Sequence, residues 1–165
     1  MKRIGLLSDT HSFFHPELPR VFEKCDEIWH AGDFGNYKLV EQLKKIKPLR
    51  GVYGNIDGQE IRSEYPELLR FDCEKVDVLM KHIGGYPKRY NPAVKKILQF
   101  NPPKLFISGH SHILKVMFDK QYGCLHLNPG AAGKQGFHKT ISILRFTIDR
   151  EQIKNLEIVE FDKGR

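Results

Sequence analysis

The chain has 165 residues with 27 Lys and Arg against 20 Asp and Glu, a formal charge of +7 with histidine neutral. That length suits one domain spanning residues 1–165, and 40% hydrophobic with 28% charged residues excludes a fibrous repeat or long-range disorder. The basic excess points to an anionic partner without separating nucleic acid from a small anionic substrate.

No apolar run approaches the roughly 20 residues needed to cross a bilayer, so no membrane association is expected. The apolar stretch Ile4 to Leu7 is broken by Ser8-Asp9, too short for the core of a signal peptide. Cys25, Cys73 and Cys124 are odd in number and lack CxxC spacing, which argues against both a disulfide framework and a cysteine zinc site. A reduced, cytoplasmic protein is the expectation.

In chain order, Arg3 to Ser8 reads as a buried strand. Leu18, Val21 and Phe22 carry a short helical pattern before a second strand at Glu27 to Ala31. Leu39, Val40, Leu43 and Ile46 recur at helical spacing after Asn36, a residue type suited to an N-cap. Pro48 to Tyr53 is a third strand and Val76 to Met80 a fourth. Asn91-Pro92 offers a cap with proline at the first helical position, ahead of Val94, Ile97 and Leu98. Leu105 to Ser108 is another buried strand. The last third is strand-rich: Leu114 to Phe118, Cys124 to Leu127, Thr140 to Phe146 and Ile153 to Phe161. An α/β front with a β-rich back predicts two packed sheets with helices outside.

The polar residues cluster at strand ends. The first strand gives Ser8-Asp9-Thr10-His11, the second Ala31-Gly32-Asp33, the third Gly54-Asn55-Ile56-Asp57. Later strands end in Lys81-His82 and in Gly109-His110-Ser111-His112. Ligands of open α/β sheets sit outside the carboxyl ends of strands, so these tips are expected to meet in space. Asp9, His11, Asp33, Asn55, His82, His110 and His112 together supply the oxygen and imidazole donors that divalent transition metals accept. Seven donors exceed one tetrahedral ion and suit two ions sharing a carboxylate.

At these residues the chain resembles the calcineurin-like metallophosphoesterase superfamily, whose signature runs D-x-H, G-D, G-N-x-[DE], H and G-H-x-H in this order. The resemblance extends from Asp9 to His112, and Asn128-Pro129-Gly130 is similar to a loop of the small branch that includes phosphodiesterases and a retromer scaffold subunit. It implies a four-layer α/β/β/α sandwich of two mixed sheets with a di-metal site at strand C-terminal ends. It also implies that Asp9, His11 and His112 hold one ion, that Asn55, His82 and His110 hold the other, and that Asp33 bridges. Manganese is the first expectation, with iron, nickel or zinc as alternatives.

The implied activity is phosphodiester hydrolysis by a hydroxide bridging the two ions, on a small or flexible phosphoester, with Asp33, Asn55 and His82 positioning the reactants. A phosphomonoesterase or nucleotide phosphatase of the same fold is the nearest alternative, and a non-catalytic scaffold the alternative of another class. A nucleic-acid substrate is not favoured, because no basic stripe interleaved with aromatics stands out. Relatives of the small branch suggest a homo-oligomer.

Two positions depart from the pattern. Ile56 stands where many members carry a proton-donating histidine, and His82-Ile83-Gly84-Gly85 replaces H-G-H. Asp57 reads equally as an orienting group and as a turn residue before Gly58. His15, close behind the Asp9–His11 loop, is the first candidate to orient a ligand from outside; His30, His126 and His138 are assigned to core, surface or support. Substrate walls are expected from loops at Phe13 to Pro16, Gln59 to Glu64 and Gly84 to Tyr90, the last a flexible rim.

Overall fold

In the computed structural model, which describes residues 1–164, alternation along the first strand sets the layering. β1 (Lys2–Leu7) turns Ile4 and Leu6 inward between two sheets and Leu7 outward beneath helices. Gly5 shares that outward face, and a Cβ there would overlap the Phe22 ring lying on it. A period of two on a strand covered on both sides explains the near-continuous apolar run in the sequence.

The first sheet has the order β12-β11-β1-β2-β3. β1, β2 (Glu27–His30) and β3 (Leu49–Gly51) are parallel, while β11 (Thr140–Asp149) and β12 (Gln152–Asp162) join antiparallel beside β1. The second sheet has the order β4-β5-β8-β10-β9. Its middle strands β5 (Val76–Lys81), β8 (Leu105–Ile107) and β10 (Cys124–Pro129) are parallel; β4 (Leu68–Cys73) and β9 (Leu114–Asp119) are antiparallel edges. Both sheets are therefore mixed, with a parallel centre whose carboxyl ends share one rim.

Between the sheets lie Ile4, Leu6, Trp29, Val78, Met80, Leu105, Ile107, Leu127, Leu144 and Phe146. The outer face of the first sheet is covered by α1 (Leu18–Val21), α2 (Tyr37–Ile46) and α3 (Gln59–Glu64), through Leu18, Phe22, Leu39, Leu43 and Ile61. The outer face of the second carries α4 (Pro92–Phe100), packed by Val94 and Leu98 on Leu79 and Phe106. This is the expected four-layer sandwich. Both predicted caps form: Asn36 Oδ1 accepts from the Leu39 N–H at 3.1 Å and Asn91 Oδ1 from the Ala93 N–H at 2.9 Å.

Three local expectations are corrected. Gln59 to Glu64, read as loop, is helix α3, held by a single buried Ile61. The Gly84 to Tyr90 rim is a small hairpin, β6 (Gly85–Tyr86) against β7 (Arg89–Tyr90), and Asn91 N–H closes it onto the Gly84 carbonyl at 2.9 Å. β3 is three residues long and stops before Tyr53. No helix among the described residues is long and apolar enough to cross a membrane.

Candidate metal centre

The loops that follow β1, β2 and β3 in one sheet and β5 and β8 in the other converge on a single rim. Asp9, His11 and His112 bring one set of donor atoms together, and Asp33, His82 and His110 a second; within each set the atoms lie within 4.8 Å of one another. The sets adjoin, because Asp33 Oδ2 is 3.5 Å from His11 Nε2 and 3.2 Å from His82 Nε2. Asn55 Oδ1 sits 3.1 Å from both His82 Nε2 and His110 Nδ1, which adds the amide oxygen to the second set. All seven donors singled out in the sequence are thus in one place.

Backbone conformation carries part of this convergence. Asp9, His11, Asp33, His110 and His112 all have positive φ, between 44° and 68°. Such geometry is uncommon for residues with a Cβ, costs on the order of 1–3 kcal/mol each, and collects at functional sites. The glycines of the signatures have a matching reason: a Cβ on Gly54 would overlap the Asp33 carboxylate and its backbone N, and one on Gly32 would come within 2.6 Å of His82 Nδ1.

The electrostatics call for cations. Asp9 is fully buried and Asp33 is 2% exposed, yet no Lys or Arg among the described residues pairs with either. Buried carboxylates without a compensating charge are costly. Asp9 Oδ2 is satisfied by the Ser8 hydroxyl at 2.6 Å and the His110 N–H at 3.1 Å, whereas its Oδ1 and His11 Nε2 have no hydrogen-bond partner. His112 Nε2 approaches that Oδ1 to 3.1 Å without the alignment of a hydrogen bond. Donors held about 2.0–2.2 Å from one ion lie roughly 3.0–3.5 Å from one another; Asp9 to His112, Asp33 to His82 and Asn55 to His82 and His110 are at 3.1–3.2 Å, with His11 to Asp9 wider at 3.9 Å. The residues fit divalent metal ions.

Tautomers are set from behind. His82 Nδ1–H donates to the Ala31 carbonyl at 2.7 Å, leaving the Nε2 lone pair facing the site. Burial opposes charge on both His82 and Asp33, but in the doubly protonated ring the Nε2–H bond and Coulomb attraction to Asp33 outweigh it, raising the imidazole and lowering the carboxyl from their ordinary values; an ion would take the place of that second proton.

A calcineurin-like phosphoesterase superfamily domain model matches residues 1–151. The chain belongs to that superfamily. Among curated relatives, a probable metallophosphoesterase of Methanocaldococcus jannaschii is 29% identical over 133 residues, covering 78% of this chain and 67% of its own. Two solved structures share the fold at lower identity. Vps29 of Chaetomium thermophilum superposes with a TM-score of 0.74 at 14% identity, over 99% of this chain and 100% of its own. A structure described as a novel archaeal phosphodiesterase gives 0.71 at 18% identity, over 95% and 99%.

Within this superfamily fold, Asp57 resolves as an orienting group. Its Oδ2 accepts the Asp33 N–H at 3.0 Å and the Gly54 N–H at 2.7 Å, and its Oδ1 accepts the Gly35 N–H at 2.9 Å. One carboxylate therefore fastens the loop after β2 to the loop after β3. Burial pushes its pKa up, with the N–H bonds pulling in the other direction.

His15 is corrected. Its ring stacks on Phe161 at 4.2 Å and its Nδ1 accepts the Glu17 N–H at 3.1 Å, so it braces the start of α1 against β12. The supporting histidine is His30, fully buried, stacked on Phe34 at 3.7 Å. Its Nδ1 accepts the Gly32 N–H at 3.1 Å, so Nε2–H donates to Thr10 Oγ1 at 2.9 Å, joining the β2 tip to the β1 tip. Desolvation pushes its pKa down to about 3, so it stays neutral. The signal available in the sequence was an imidazole inside the apolar run Ile28-Trp29-His30-Ala31. Asn128 plays the corresponding part in the other sheet, donating to the Gly109 carbonyl at 3.0 Å and the Ser111 hydroxyl at 3.1 Å.

Proposed function

We propose that the protein is a metal-dependent phosphodiesterase using two divalent ions, with a small or flexible phosphoester as substrate. The supporting observation is the pair of adjoining donor sets around two buried, cation-less carboxylates with Asp9 Oδ1 and His11 Nε2 unpartnered. Asp9, His11 and His112 would hold one ion and Asn55, His82 and His110 the other, with Asp33 shared, its Oδ2 being within 3.5 Å of His11 and 3.2 Å of His82. Ions so held supply Lewis-acid polarisation of phosphoryl oxygens and a water acidic enough to attack near neutral pH.

The chain's own residues set the rest. Asn55 contributes a neutral oxygen, so the donor set carries only two carboxylates and retains a net positive charge towards an anionic ester. Ile56 spends its backbone N–H on Asp33 Oδ1 at 3.1 Å, and its side chain, 44% exposed, has no proton for a leaving group. This favours esters with good leaving groups, general-acid help being worth about 10²–10⁴-fold. A complete donor set weighs against the scaffold reading.

The test is metal analysis of the purified protein combined with aryl phosphodiester and phosphomonoester assays after manganese loading. Two ions per chain and preferential diester hydrolysis, both lost in Asp33→Ala and Asn55→Ala, are expected. Full metal-dependent activity in those variants would refute the assignment, and no hydrolysis after loading would return the scaffold reading.

A further inference from the structure

A second concavity lies at the other end of β1 from the donor sets. α1 is only four residues long, so the outer face of β11 and β12 is left partly uncovered there. The ladder between these strands shifts register between Arg145 and Thr147, and Asn155 opposite has φ of 56°. Such a bulge bends the strand and opens the surface. The result is a cavity of about 540 Å³ between the α1–β2 connection and the β11–β12 ladder.

Its lining is cationic: Arg3, Arg20, Lys24 and Arg145 face it, against Glu23 and Glu157. Arg145 is fixed, donating through one terminal nitrogen to the Val21 carbonyl at 3.0 Å and through the other to Glu157 at 2.6 Å. Its Nε–H is buried and has no acceptor among the described residues. A buried donor left unpaired costs about 1–3 kcal/mol and calls for an explanation. Arg20 is engaged by Glu17, while the Arg3 and Lys24 side chains have no partner among the described residues. Thr147 and Asn155 add a hydroxyl and an amide at the wall.

We propose that this cavity binds a small organic polyanion bearing phosphate or carboxylate groups. Arg3 and Lys24 close on its charge, with the half-exposed Arg145 guanidinium lining the wall between them. The volume lies in the range of about 300–1,000 Å³ typical of small-molecule sites. Two unpaired cations beside a fixed guanidinium suit a ligand with more than one negative charge, since charge-assisted bonds to arginine are the strong ones. The site is independent of the phosphoesterase reading: none of its residues belongs to the donor sets.

Nuclear magnetic resonance of the full ¹⁵N-labelled chain tests it, with pyrophosphate, ATP and citrate as separate probes in metal-free buffer. Expected are saturable shifts of the Arg145 Nε–H and of the Thr147 and Asn155 amides, from at least one probe. Phosphate and carboxylate recognition are told apart by which probe saturates. In an Arg3→Gln/Lys24→Gln variant, altered only at exposed positions and checked for an intact spectrum, the affinity should fall at least tenfold. Shifts confined to the loops of Asp9, Asp33, Asn55, His82, His110 and His112 would overturn the proposal. So would unsaturated shifts spread over the basic surface, or unchanged affinity in the variant.

Discussion

Removing the Asp57 carboxylate should damage both stability and metal binding. Asp57→Ala leaves the Asp33 and Gly54 N–H groups buried without acceptors, while the partly buried Gly35 N–H can turn to water. At about 1–3 kcal/mol for each of the two buried donors, the direct cost is roughly 2–6 kcal/mol. Part is returned because a desolvated carboxylate also disappears, burial having raised its pKa. A net loss of about 2–4 kcal/mol is expected. Asp57→Asn should recover most of the loss, since its amide oxygen in the place of Oδ2 can still accept both buried N–H groups, with its NH2 left facing only the Gly35 N–H. Urea unfolding followed by circular dichroism, with a chelator present, gives the stability arm; manganese titration gives the other and should show weakened binding as Asp33 loses its anchor. An Asp57→Ala protein within about 0.5 kcal/mol of the parent, with the same manganese isotherm, would make Asp57 a turn residue and refute the fastening role.

Three further outcomes follow. Ile56→His should raise hydrolysis of diesters with poor leaving groups by up to about 10²-fold, with little change for aryl esters; equal effects on both would show that position 56 does not reach the leaving group. His126 is buried on β10, its Nδ1 bonded to the Phe106 carbonyl at 3.2 Å, and desolvation pushes its pKa down to about 4. A histidine depressed on folding contributes stability that is complete above its ordinary pKa of 6.5 and lost as pH falls towards 4, about 2 kcal/mol between pH 7 and 5. Stability–pH curves of His126→Phe should be flatter by that amount, and parallel curves would contradict it. Gly54→Ala should destabilise by about 1–3 kcal/mol through its clash with Asp33, measurable by thermal unfolding, and should lower metal occupancy in parallel.

The parts of this molecule that were legible in the sequence are those with a local physical signal. β1, β2 and β8 are buried on both faces, so they read as apolar runs, and Asn36 and Asn91 announce the two helices they cap. The seven donors stood out because strand ends bring remote loops together. β4 was missed although Leu69, Phe71 and Cys73 alternate with Arg70 and Asp72 and pack on the core, and α3 because one buried isoleucine leaves no period to see. His15 was preferred to His30 through nearness in sequence. The inside of the first sheet decided otherwise, since the ring that joins two strand tips comes from within β2. Strand order, which places β11 beside β1, is a property of long-range pairing that no local pattern encodes.

Each donor set draws on both layers. Asp9 and His11 follow β1, but His112 comes from beyond β8; Asp33 follows β2, but His82 and His110 come from the opposite sheet. Neither half of the sandwich therefore supplies a whole set by itself. Folding has to dock the two sheets before a complete donor set exists, so a full site for an ion would form late, unlike small domains that collapse around their ion. Once present, an ion would act as a rivet between the layers. Shearing them apart would then require releasing it, so metal loading should slow unfolding while leaving the rate of folding unchanged.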